Sequence, residues 1–470
     1  LSLTVVDNLA QGDGTVDFNR DIRPVLSDRC FHCHGPHKEG RAARLRLDIA
    51  EGELGALIPR KDYHIIKPGD LEGSELWRRI TADDEYDRMP PKTSNKKPLT
   101  EQEIALFKQW IVQGGVYQDF WAFIPPKKHK AGRVKDESWK ENFIDHFVMA
   151  SLTKQGLEPK EEADKRTLIR RVSFDLTGLP PSLKEIDHFL KDDSPNAYTK
   201  LVDRLLNRET YGEHMTRFWA DLVRLSDTNG MHKDFHREFS AYRDWLIRSF
   251  NRNMPYDEFI KYQLAGDLYE EPTRDQLVAS GFNRLHMIID VGTALPEESL
   301  HKNVIDRVTA FGSTFLGMTV QCAQCHDHKY DPFTMENYYQ LYAFFNNFSG
   351  KPETVNTPPR GLQPPFINLS TPAQDGKLAA FDTELKQLEQ QLETLENKKE
   401  HQEKIEALRK KKDAFLATIP GAMHMDEMDL PRETTMLISG AYDAPGEKVE
   451  RNTPAFLPPL KKSLVSRIRG

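Results

Sequence analysis

All four cysteines of this 470-residue chain fall in two copies of one short pattern. Cys30-Phe31-His32-Cys33-His34 is the first, and Cys322-Ala323-Gln324-Cys325-His326 is the second. The C-x-x-C-H spacing suits covalent attachment of c-type haem. Two thiols add across the porphyrin vinyl groups, and the histidine that follows presents its imidazole to iron. Two other chemistries compete. A tetrathiolate zinc site can join two C-x-x-C pairs, but zinc has no use for a histidine after each. A redox thiol pair needs one C-x-x-C and no following histidine. The pattern therefore predicts two covalently attached c-type haems. Cys30, Cys33, Cys322 and Cys325 are the attachment points, and His34 and His326 the proximal iron ligands. Bacteria carry out this attachment outside the cytoplasm, so an exported protein is expected, periplasmic or on the cell surface. A chain of this length can fold on its apolar cores without spare cysteines for disulfides.

Composition narrows the classes further. With 38% hydrophobic and 29% charged residues, the chain has material for two to four soluble domains. It has no continuous apolar run of about 18–20 residues, so no membrane span is expected. A net charge of -7 argues against a general nucleic-acid binder, which carries a basic face. The sequence starts at Leu1 without an initiator Met, so a removed targeting peptide or a trimmed chain is expected.

The periodicity predicts a mainly α protein. It consists of a small class I-like cytochrome c domain, a larger helical haem-bearing domain, a coiled-coil helical hairpin and a small β-containing tail. Residues 1–15 read as a leader and 16–126 as the first haem domain. Within it, Ile22, Val25 and Leu26 share a helix face leading into Cys30, Leu71–Ile80 reads as a short helix, and Thr100 caps a helix that Gly114-Gly115 ends. Met89 sits between them in the loop Arg88-Met89-Pro90-Pro91. Prolines after it would stiffen a loop holding a thioether against iron, so Met89 is the expected distal ligand of the first haem. The plainer role for such a Met is core filling. Residues 127–138 form a basic linker, and 139–350 a helical domain with the second haem. Arg170, Arg171, Arg217, Arg224, Arg237, Arg243, Arg248 and Arg252 offer cations for haem propionates, although a solvated helix face is the commoner use of any one of them. Residues 351–375 are a Pro-rich linker. Phe381, Leu385, Leu388, Leu392 and Leu395 follow coiled-coil spacing. Ile405, Leu408 and Phe415 resume it out of phase, which predicts an antiparallel hairpin over 376–418 that turns at Asn397–Gln402. The tail, 419–470, has a strand at Met436–Ser439 and a turn at Asp443-Ala444-Pro445-Gly446.

These motifs resemble the planctomycete-type cytochrome c family. Phe18-Asn19-Arg20-Asp21-Ile22-Arg23-Pro24, the first C-x-x-C-H-G-P, Leu45-Arg46-Leu47-Asp48, Arg88-Met89-Pro90-Pro91 and Trp121-Ala122-Phe123-Ile124-Pro125-Pro126 resemble its first domain. Asp175-Leu176-Thr177-Gly178-Leu179-Pro180-Pro181, Tyr242-Arg243-Asp244-Trp245, Leu264-Ala265-Gly266-Asp267-Leu268 and Cys325-His326-Asp327-His328-Lys329-Tyr330-Asp331-Pro332 are similar to its second. Pro445-Gly446-Glu447 and Phe456-Leu457-Pro458-Pro459-Leu460 look like the segment before a further C-terminal domain. The resemblance implies exported haem proteins and no particular reaction. It also implies a longer architecture, so the chain's own C-terminal half or a second subunit is an expected partner. Where such proteins often carry a histidine before Trp-Ala-Phe, this chain has Phe120.

The second haem has no Met-Pro loop. His328 is too close in sequence to His326 to reach the opposite face of the same haem, and orienting the proximal side suits it better. His232 and His286 are distal candidates, each also explicable as an ordinary satisfied histidine. Met425 and Met428 are weaker ones. Two low-spin, six-coordinate haems would make the chain an electron carrier serving a redox partner protein. An open second iron would make it a haem-dependent oxidoreductase, peroxidase-like or carbohydrate-oxidising, with His232, His286 or His328 as acid–base groups. A third possibility is a scaffold subunit of a larger haem complex, docked through the hairpin.

Overall fold

The computed structural model describes residues 14–37, 40–128, 142–230, 234–288, 295–351, 359–394, 398–454 and 456–460. They are mainly helical, with two small two-stranded antiparallel sheets. The chain divides into two compact units whose membership does not follow chain order. One unit draws on Leu1–Pro126, Leu316–Asn346 and Arg432–Gly470, and the other on Lys127–Phe315 and Asn347–Pro431. The segment carrying Cys322–His326 thus belongs to the same unit as Cys30–His34.

In the first unit, a π-helical turn at Phe18–Ile22 runs into the helices Arg23–Arg29 and Phe31–His34. The expected apolar face is present, with Phe18, Ile22, Leu26 and Phe31 buried against Phe107, Trp110 and Ile111 of the helix Glu101–Val112. That last helix begins with a reciprocal capping box. The Thr100 side chain accepts from the Glu103 N–H, and the Glu103 carboxylate accepts from the Thr100 N–H. The expected helix at Leu71–Ile80 is shorter, Glu75–Ile80, because turns closed by Asp70 and Ser74 occupy its first residues. The helix Met335–Phe345, which periodicity alone had not singled out, packs beside a hairpin of strands Thr434–Leu437 and Pro445–Val449. Pro445 and Gly446, expected in a turn, start the second strand. The turn lies just before them, closed by the Ala444 N–H on the Ala441 carbonyl.

The second unit is built from helices beginning at Phe143–Lys154 and Lys165–Thr177. Gly178 ends the latter in the left-handed region (φ 68°), where a Cβ would stand 2.5 Å from the His214 ring. This accounts for the Asp-Leu-Thr-Gly motif as a helix stop. Its main core gathers Tyr242, Trp245 and Leu246 of the helix Ser240–Asn251 with Phe259, Val278 and Phe282. Trp245 stacks on Phe259 with 5.2 Å between ring centres. Gln263, fully buried, accepts from Trp219 Nε1 (3.0 Å) and the Tyr242 hydroxyl (2.6 Å). Inside the expected 351–375 linker, Phe366–Asn368 is a strand paired with Gly421–Met423. Pro372 already begins the next helix, Pro372–Thr394, which packs against Lys399–Leu416 through Leu385, Ile405 and Leu408. The cross-pairs Glu389–Arg409, Asp382–Lys412 and Gln391–His401 show that the two run antiparallel. Helix resumes at Lys399, so part of the expected Asn397–Gln402 turn is helical.

Candidate haem attachment sites

The first motif forms one helical turn. The Cys33 and His34 N–H groups both donate to the Cys30 carbonyl, at 3.1 and 2.8 Å. Residues at i, i+3 and i+4 share a helix face, so both thiols and the imidazole are presented together. Neither thiol is in a disulfide, and burial pushes the Cys30 thiol pKa up to about 12. Burial also holds the His34 imidazole below its usual pKa, opposed by the neighbouring Ala42 backbone. Its Nδ1 is buried with no hydrogen-bond partner. A desolvated imidazole beside two free thiols fits a haem's needs. Met89 lies half-buried in the same unit, its N–H bonded to the Arg79 carbonyl at 2.9 Å. Arg78 and Arg79 both grip Asp87, tying the loop to the helix Glu75–Ile80.

The second motif is clamped by its own neighbours. A 3-10 turn, Val320–Gln324, leads into Cys325. The Gln324 side chain donates to the Gly440 carbonyl at 3.2 Å, and its own carbonyl accepts from the Tyr339 hydroxyl at 2.9 Å. Gly440 has φ 74°, and a Cβ there would lie 2.7 Å from the Cys325 sulfur, so the missing side chain makes room for the thiol. Cys322 and Cys325 are both free and exposed. His326 Nδ1 lies 2.8 Å from the Asp327 carbonyl, to which it donates, leaving the Nε2 lone pair available as an acceptor. The Asp327 carboxylate accepts from the Met335 N–H at the start of the next helix, at 2.8 Å. His328 is buried, and its Nδ1 accepts from the Asp331 N–H at 2.9 Å. It therefore braces the loop behind His326.

Residues 30–93 match the family model described as Planctomycete cytochrome C, and 143–349 match PSCyt2, described as a protein of unknown function (DUF1549). The chain belongs to the planctomycete-type cytochrome c family. No curated protein and no solved structure matches it. In this planctomycete-type cytochrome c, the first model covers the Cys30–His34 motif and the Met89 loop, and the second covers Cys322–His326.

The remaining sequence candidates have varied surroundings. His286 is fully buried in the second unit. Its Nε2 lies 3.1 Å from an Arg307 guanidinium nitrogen and its Nδ1 3.2 Å from the Met287 carbonyl, so both ring nitrogens have protein partners. Arg237 donates to the His286 and Arg284 carbonyls, and Arg224 pairs with Asp306. These two cations therefore have structural duties within the second unit. The Met425 N–H donates to Ser280 Oγ and the Met428 N–H to the Asn347 carbonyl. His232 lies outside the described residues. One residue that sequence reasoning passed over is His37. Its ring centre lies 6.0 Å from that of His326, with 61° between the ring planes. The available signal was its place three residues after His34, in Cys-His-Gly-Pro-His.

Proposed function

We propose that this planctomycete-type cytochrome c is an exported di-haem protein that carries electrons between its two haems and a partner oxidoreductase. The observation that supports this best is the grouping of both C-x-x-C-H motifs in one compact unit, with His37 of the first segment beside His326 of the second. Electron passage between two cofactors depends on their being close. Haem supplies reversible one-electron chemistry, and the protein supplies binding, orientation and electrostatics. Cys30, Cys33 and His34 would hold the first haem, with Met89 as its distal ligand. Cys322, Cys325 and His326 would hold the second. Arg46 pairs with Asp48 and feels the charge of Asp327, while Arg23 feels those of Asp48 and Asp331, so cations line the first unit next to the second motif. Among the described residues, no helix is long and apolar enough to cross a membrane.

Intact mass of the matured protein, with spectra of its ferric and ferrous forms under CO and peroxide, tests this. Two covalent porphyrins and two low-spin, unreactive irons are expected. One porphyrin or none would overturn the di-haem reading, and a high-spin, CO-binding iron would overturn pure electron transfer in favour of haem-dependent oxidation.

A further inference from the structure

We propose that His37 is the distal iron ligand of the second haem, so that the segment following the first haem motif completes the coordination of the second. This rests on the di-haem reading above. A metal–imidazole bond of about 2 Å, with roughly 1 Å more from ring nitrogen to ring centre on each side, places the ring centres of two trans imidazoles about 6 Å apart. His37 and His326 have ring centres 6.0 Å apart. Their 61° between planes is admissible, because each ring turns about its own iron–nitrogen bond. The tautomer of His326 is already set. Nδ1 donates to the Asp327 carbonyl, which leaves the Nε2 lone pair for iron. Ligation changes the role of His37 Nδ1. That nitrogen now accepts from the Gly40 N–H at 3.2 Å, and iron at Nε2 would move the ring proton to Nδ1 and release that bond. Both histidines belong to the same compact unit. The arrangement gives the two haems different ligand sets, His/Met for the first and His/His for the second. A thioether raises the potential of haem iron relative to an imidazole, so the first haem is the higher-potential one and electrons run from the second to the first.

The test uses the full chain matured with haem. Intact mass counts the porphyrins, and near-infrared magnetic circular dichroism of the ferric protein identifies the axial ligands. The wild type is expected to show one His/Met and one His/His iron. His37→Ala is expected to keep both porphyrins while half of the low-spin signal becomes high-spin and CO-binding in the ferrous state. His37→Met is expected to give two His/Met irons. Met89→Ala, the control, should open the other iron only. Two porphyrins with an unchanged His/His signal in His37→Ala would overturn the ligand assignment. So would a wild type without a His/His iron, a result that needs no variant to fold. A mass of fewer than two porphyrins in the wild type would instead overturn the di-haem reading.

Discussion

Asp267, in the Leu264–Leu268 motif, is a buried carboxyl of the second unit whose environment disfavours ionisation. Neither carboxylate oxygen has a hydrogen-bond partner in another residue, and both are buried. Burial drives the carboxyl pKa from an ordinary 3.8 to about 7, the nearby charges of Glu427 and Asp426 push the same way, and its own backbone N–H opposes them. The native state therefore keeps a proton that the unfolded chain releases near pH 4. Stability is greatest below the unfolded value and falls as pH rises through about 7. At 1.36 kcal/mol for each pH unit between the two values, the full loss is about 4 kcal/mol, an upper figure because water reaches part of the side chain. Asp267→Asn removes this ionisation. Above pH 8 the variant is expected to be more stable than the wild type, by about 2–4 kcal/mol, and near pH 4 to be about equal. Urea unfolding at a series of pH values, followed by far-ultraviolet circular dichroism, measures both curves. A wild type whose stability does not fall between pH 5 and 8, or an Asn variant with the same slope as the wild type, would refute the reasoning.

Three further substitutions separate local packing from haem binding. A Cβ at Gly266 would lie 2.1 Å from the Gln276 carbonyl oxygen, so Gly266→Ala forces backbone apart and is expected to cost on the order of 1–3 kcal/mol in urea unfolding. Gly440→Ala meets both the strain of φ 74° and the Cys325 sulfur at 2.7 Å. Intact mass should show it losing the second porphyrin while retaining the first, and an unaltered mass gain would refute the cradle. Thr100→Ala deletes one half of the capping box and should lower stability by about 1 kcal/mol, seen as a lower urea midpoint with unchanged slope.

The parts of the fold that local chemistry determines were readable from sequence. Thr100, Gly114 and the Phe107–Trp110–Ile111 stripe bound and orient one helix whatever surrounds it. Leu385, Leu388, Ile405 and Leu408 likewise specify a helical pair, because their partners lie a few turns away. Strands of three residues leave no such trace. Phe366–Asn368 sits among prolines that read as a linker, and becomes a strand only because Gly421–Met423, far along the chain, supplies its hydrogen bonds. Pro445 was read as part of a turn on its turn preference, but the hairpin starts with it.

The candidate site divides the same way. Attachment chemistry is written in five consecutive residues, so Cys30–His34 and Cys322–His326 were legible at once. Distal ligation is a tertiary property, and proximity in sequence is no guide to it. His232 and His286, the distal candidates for the second haem, belong to the stretch 139–350 that precedes and includes Cys322–His326. Leu316–Asn346, which carries His326, groups instead with Leu1–Pro126 and Arg432–Gly470. Asp331 of this segment acts on the charge of Arg23, and Asp327 on that of Arg46. Within that unit the His326 ring lies beside the ring of His37. On the proposed ligation, the spacing of the first motif, Cys-His-Gly-Pro-His, has a reason to carry two histidines: one for the haem bound by its own cysteines, and the other for the haem bound by the second pair.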